Sequence, residues 1–130
     1  MFVILDSSML MMPLERKINI TYELERLIQI NFEIVVPEIV IKELKRLTEN
    51  PSMSLKQKAK LALDLAKQYR ILESETDGNA DFEIVKLAEI HKAIVATNDA
   101  NLRSSLRKKG LAVVSLHGKN KLALFGDIGK

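Results

Sequence analysis

Four carboxylates occupy positions where ordinary surface charge is not expected. Asp6 directly follows the apolar run Phe2-Val3-Ile4-Leu5, and Asp99 comes three residues after the run Ala93-Ile94-Val95-Ala96. Either alone would serve as a turn residue or helix cap, roles that favour Asp. Together they put two carboxylates just beyond two strand-like runs. Glu43 lies between Ile39 and Leu47 on a helical projection, inside the arc marked by Ile39, Val40, Leu44 and Leu47, while Lys42, Lys45 and Arg46 fall on the other side. A carboxylate in such an arc must be paired, protonated or metal-bound, because bare burial is strongly unfavourable. The alternative is an edge position paired with Arg46 or Lys42. Asp81 falls between Val85 and Ala88 on a helix whose other acids, Glu83 and Glu89, point elsewhere, although a first-turn acid also complements the helix dipole. Asp64, Glu73 and Glu75 show neither signature.

Asp6, Glu43, Asp81 and Asp99 gathered at one place could not all stay ionised without a cation. Oxygen-only donors select Mg²⁺ or Mn²⁺ over softer metals. Such ions activate water and stabilise the leaving oxygen of a phosphodiester, so no side chain need act as nucleophile. The chain has no cysteine, which removes thiolate metal sites and thiol nucleophiles, and its two histidines, His91 and His117, are too few for most zinc chemistry.

The elements that must position these acids follow from periodicity. Phe2 to Leu5, Ile34 to Val36, Ala93 to Ala96 and Leu111 to Leu116 read as strands, the first buried on both faces. Arg70 to Leu72 is a weaker strand, and Lys121 to Phe125 a last one at an edge. Between them lie helical segments: Thr21 to Ile30, Pro37 to Glu49, one beginning at Ser54, one capped by Asn79 and ending at His91, and one from Asp99 to Lys109 with Gly110 after it. A turn is expected at Asp77-Gly78. This alternation indicates an α/β fold, a three-layer α/β/α arrangement around a mostly parallel sheet of about five strands. In such sheets ligands bind beyond the carboxyl ends of the strands.

With 130 residues, 47% hydrophobic and 28% charged, one domain spanning 1–130 is expected, and a disordered or fibrous chain is excluded. No stretch reaches the roughly 18 apolar residues that span a bilayer, and the first residues lack a basic signal-peptide region. A cytoplasmic chain with no membrane partner is the expectation. Met9, Met11 and Met12 read as gap-filling core or a dimer surface, since residues 9 to 14 are apolar enough for a partner to cover.

The ordered segments Val3-Ile4-Leu5-Asp6-Ser7-Ser8, Val36-Pro37-Glu38-Ile39-Val40-Ile41-Lys42-Glu43-Leu44, Ala80-Asp81 and Ile94-Val95-Ala96-Thr97-Asn98-Asp99-Ala100-Asn101-Leu102-Arg103 resemble the PIN-domain family of nucleases. The resemblance covers nearly the whole chain. It implies a PIN-like fold and a Mg²⁺- or Mn²⁺-dependent endoribonuclease. It maps the catalytic and metal-binding acids to Asp6, Glu43, Asp81 and Asp99, with Ser7 and Thr97 in hydrogen-bonding support. Members often carry a further acid two residues after the last Asp; here that position is Asn101, whose amide keeps an oxygen but not the charge. Both the archaeal rRNA-processing members and the toxins held by an antitoxin are similar, and homodimers are common among them. A non-cutting scaffold that binds RNA or a ribosome-assembly protein is the alternative. An aspartate-nucleophile phosphoryl-transfer domain shares a strand-end Asp, but it would place a second Asp where Ser8 stands.

Charge distribution suits a nucleic-acid backbone beside the acidic site, the alternative being solvated helix and tail charge. The net charge is +3, yet residues 103–130 carry seven basic side chains against Asp127 alone, leaving the rest of the chain acidic overall. Arg103, Arg107, Lys108, Lys119 and Lys121 are the candidate phosphate contacts. With only six aromatic residues, four Phe and two Tyr, backbone recognition is favoured over a base-stacking platform.

Overall fold

The computed structural model describes residues 1–74 and 78–128. Its six-stranded sheet has the order β3-β2-β1-β4-β5-β6. The strands are β1 (Phe2–Leu5), β2 (Glu33–Pro37), β3 (Arg70–Leu72), β4 (Ile94–Ala96), β5 (Val113–His117) and β6 (Lys121–Phe125). Neighbours pair in parallel except β5 and β6, which form an antiparallel hairpin. Six strands thus replace the expected five or so. The sixth is the edge strand read at Lys121 to Phe125, reversed through a turn whose Gly118 adopts φ +73°.

The strands form because their apolar runs can be buried on both faces. Val3, Ile4, Leu5, Val35, Val36, Val95, Val113 and Val114 are fully buried. Side chains of this size contribute about 1.5–3 kcal/mol each on burial. The helices are α1 (Ser7–Met11), α2 (Ile20–Leu27), α3 (Glu38–Leu47), α4 (Met53–Ala66), α5 (Ala80–His91) and α6 (Ala100–Lys108). The connections β1 to β2 to β3 advance across the sheet in one direction, and those from β3 through β4 to β5 advance in the other. Right-handed crossovers therefore send the two sets of helices to opposite faces. In accord, α1, α3 and α4 pack together, and α5 packs on α6, β1 and β4.

Boundaries shift where capping chemistry decides them. The α4 helix starts at Met53 because the Ser52 hydroxyl accepts from Leu55 N–H at 3.3 Å. The α2 helix stops at Leu27, with Ile28 already extended. Helix α1 was not legible in the sequence: five residues show no periodicity, and it exists because Asp6 caps it. Met9, Leu10 and Met12 are buried in the core, so the 9–14 segment offers only Leu14 as a strongly exposed apolar side chain. The turn expected at Asp77-Gly78 lies partly outside the described residues, as does Glu75. No helix of the described residues is long and apolar enough to cross a membrane.

The open edge of β6 is closed by side chains. Leu122 N–H donates to Glu23 Oε1 at 2.8 Å and Leu122 C=O accepts from Arg26 Nη2 at 2.8 Å, so the Glu23–Arg26 pair occupies the backbone groups where another strand would bond. The bond from Arg26, outweighing the opposing burial, holds the Glu23 carboxyl below its ordinary pKa. Glu23→Ala should leave the Leu122 N–H unpaired and lower stability by about 1–3 kcal/mol in urea unfolding at unchanged m-value.

Candidate active site

Two turns carry the centre. Leu5 pairs with Ala96, so β1 and β4 end side by side and deliver Asp6 and Thr97 to the same rim. This is also where the strand order reverses direction, the crevice in which open α/β sheets bind ligands. The Asp6 side chain is buried and fully engaged. Oδ1 accepts from Met9 N–H at 2.9 Å and from the Ser8 hydroxyl at 2.7 Å, and Oδ2 accepts from the Thr97 hydroxyl. Each hydroxyl reaches across in turn: Thr97 Oγ1 accepts from Asp99 N–H at 3.0 Å, and Ser8 Oγ accepts from Asn98 N–H at 3.0 Å. The Asn98 side chain extends the tie by accepting from Leu116 N–H on β5 at 2.9 Å.

Ser8, not Ser7, therefore supports Asp6; Ser7 makes no side-chain bond to it among the described residues. The expected role was one residue out because the helical turn capped by Asp6 brings the second residue, not the first, back over the carboxylate. Thr97 is placed as expected and is fully buried.

The other three acids surround this core at lower burial. Asp99 is exposed and caps α6, its Oδ1 accepting from Asn101 N–H at 2.8 Å and Leu102 N–H at 3.0 Å. Asp81 is exposed in the first turn of α5, behind the Asn79 cap, whose Oδ1 accepts from Phe82 N–H at 2.8 Å. Glu43 is half-buried on α3. Asp81 connects the set: partial desolvation, then the charges of Asp99 and Glu43, push its carboxyl above the ordinary range. Burial raises Asp6 to about 6 against the opposing bonds from Thr97, Met9 and Ser8, with the Asp81 charge adding to the rise. Asp81 is thus the acid that feels Asp99 and Glu43 and that in turn acts on Asp6. The four are not in ligating contact: among the described residues no three His, Cys, Asp or Glu side chains are gathered closely enough to hold an ion. The donor set is all oxygen, and the charge crowding that raises Asp6 and Asp81 is of the kind a hard divalent cation relieves.

The expected division of acids on α5 is corrected. Glu83, read as pointing away, is fully buried and engaged with its surroundings, while Asp81 faces solvent. Apolar residues lie on every side of α5, including exposed Phe82 and Ile90, so its sequence marks no single inner arc. The basic residues divide as well. Helix α6 begins at the acidic rim and ends at the start of β5, which carries Arg107 and Lys108 to the opposite end of the sheet. There Arg107 donates to Leu111 C=O at 2.9 Å. Lys119 and Lys121, at the β5–β6 turn, share the rim with the acids. Arg103, one turn into α6, bonds Ser115 Oγ at 3.1 Å and lies 5.9 Å from the Phe125 ring centroid. Asn101 is exposed beside Asp81 in a cleft between α5 and α6.

A parallel-sheet α/β fold with acids at this switch point is the architecture of PIN-like nucleases, and the chain belongs to that family: the PIN-like domain profile matches residues 3–119. Among its relatives, ribonuclease VapC4 of Methanocaldococcus jannaschii is 36% identical over 97% of this chain and 98% of its own length. Ribonuclease VapC9 of Archaeoglobus fulgidus is 30% identical over 58% of this chain and 57% of its own. The PIN domain endonuclease Utp24 superposes with a TM-score of 0.80 at 26% identity, over 99% of this chain and 96% of that one.

The raised Asp6 carboxyl has a defined consequence for stability. Its folded pKa, about 6, lies above the ordinary 3.8, so the native state binds the extra proton between those values. Its contribution is therefore present below about pH 4 and is lost as pH rises through 6. In EDTA, wild-type stability should fall by about 2 kcal/mol relative to Asp6→Asn between pH 4 and pH 7.5, read from urea unfolding at each pH. Parallel pH profiles for the two proteins would contradict this.

Proposed function

We propose that this chain is a divalent-metal-dependent endoribonuclease, with Asp6, Glu43, Asp81 and Asp99 as the acids that hold Mg²⁺ or Mn²⁺. The carrying observation is the acid set itself at the switch point of a PIN-like sheet: a buried Asp6 raised by desolvation with a smaller push from Asp81, and Asp81 raised by desolvation and then by Asp99 and Glu43. The ribonuclease names of both curated relatives and the endonuclease description of Utp24 support strand cleavage of RNA. A cation bound there would supply an activated water and neutralise charge on the scissile phosphate.

The chain's own groups would do the rest. Thr97 and Ser8 would orient the Asp6 carboxylate by donating to one oxygen each. Asp99 uses one oxygen for its helix cap, and its Oδ2 has no hydrogen bond among the described residues. Lys119 and Lys121 would draw the RNA backbone to the rim, with Arg103 behind them; Arg107 and Lys108, at the far end, would touch only a longer strand. In this reading the enzyme serves rRNA processing or acts as a toxin under an antitoxin. A toxin arrests growth when expressed, and its Asp99→Asn form does not; a processing enzyme arrests neither way.

Asn101, standing where the family often has an acid, favours a second reading, a scaffold that binds RNA without cutting it. Cleavage separates the two. With Mn²⁺ the purified protein should cut RNA, Asp6→Asn should abolish cutting, and Ser8→Ala or Thr97→Ala should reduce it by about 10- to 100-fold. RNA bound but uncut by wild type over long incubation would select the scaffold. Independently of activity, Mn²⁺ should raise the melting temperature of wild type and lose that effect in Asp81→Asn; an unchanged response would count against the metal assignment.

A further inference from the structure

We propose that the cleft between α5 and α6 receives the nucleobase next to the scissile phosphate, with Phe82 as its stacking surface and Asn101 reading its edge. The assignment rests on the ribonuclease reading and goes beyond it by naming what selects the cleavage position. The cleft has a volume of about 450 Å³. Asp81, Phe82 and Val85 line it from α5, and Asn101, Leu102 and Ser105 from α6. Its lining is divided, with Phe82, Val85 and Leu102 apolar and Asp81, Asn101 and Ser105 polar. A flat solute with apolar faces and hydrogen-bonding edges fits that division, and a nucleobase is such a solute.

Phe82 is 59% exposed although it directly follows Asp81. An aromatic ring so exposed beside an acidic centre gains from a stacking partner. Asn101 contributes its backbone N–H to the Asp99 cap, but its side-chain amide has no hydrogen bond among the described residues. That amide offers a donor and an acceptor together, the pair needed for two bonds to one base edge. The continuity with Asp81 fixes the order along the strand: a base in the cleft belongs to a nucleotide adjoining the phosphate at the acidic rim. The small aromatic count argued against a stacking platform, yet one ring suffices for one base. A second copy of the chain could instead cover Phe82 together with Ile90, 53% exposed on the same helix.

The chain contains no tryptophan, so Phe82→Trp introduces a single reporter at the cleft. In the cleavage-blocked Asp6→Asn background with Mg²⁺, an eight-nucleotide oligoribonucleotide should quench that reporter, and an abasic oligomer of equal length should not. Phe82→Ala should weaken binding of the normal oligomer between about 5- and 150-fold, leave the abasic one unchanged, and be rescued by Phe82→Tyr. Asn101→Ala should alter the order of affinity among the four homo-oligomers. Equal binding by Phe82→Ala, or a sedimenting dimer that Phe82→Ala dissociates, would overturn the assignment. Failure of the Asp6→Asn protein to bind either oligomer would instead overturn the ribonuclease reading and this one with it.

Discussion

A single buried carboxyl group organises the functional end of this molecule. Asp6 starts α1 by capping it, and through Thr97 and Ser8 it ties the turn after β1 to the turn after β4. Burial opposes its charge, and the three donors offset only part of that cost, so the carboxyl stays near a pKa of 6. A group chosen for stability alone would not sit there. Perturbed acids of this kind concentrate where chemistry needs them, and here the same bonds that make the burial tolerable also fix the carboxylate's direction.

The sheet topology explains why the other acids are near it. Strands β1 and β4 are adjacent in space but separated by most of the chain, and the connections on their two sides leave toward opposite faces. The rim between them is consequently free of crossing chain. Helix α5 brings Asp81 in its first turn and α6 starts from its Asp99 cap, while α3 contributes Glu43 from the opposite set of helices. The acids lie short of ligating contact among the described residues, yet Asp99 and Glu43 are close enough to shift Asp81.

Elements whose burial is one-dimensional were legible in the sequence. Apolar runs such as Val3 to Leu5 and Ile94 to Ala96 cannot be satisfied except as strands buried on both faces, and Asn79 and Asp99 announce helix starts by local chemistry alone. The errors occurred where a residue's surroundings come from distant chain. Ser8 gains its role from Asn98, ninety positions away, and nothing in the local sequence separates it from Ser7. On α5 the apolar residues surround the helix, so which acid is buried depends on what packs around it, and Glu83 rather than Asp81 went inside. The basic C-terminal quarter is continuous in sequence but is divided in space by the length of α6.

By itself, then, the sequence determined the alternation of strands and helices, the absence of thiol chemistry and the positions of Asp6 and Asp99 just beyond their strands, because those depend on side-chain type and local period. Only the tertiary structure decided which hydroxyl holds Asp6, which lysines share its rim, and that Phe82 and Asn101 face a common cleft. Those outcomes depend on strand order and on the direction in which each helix leaves the sheet, quantities that no local window of residues contains.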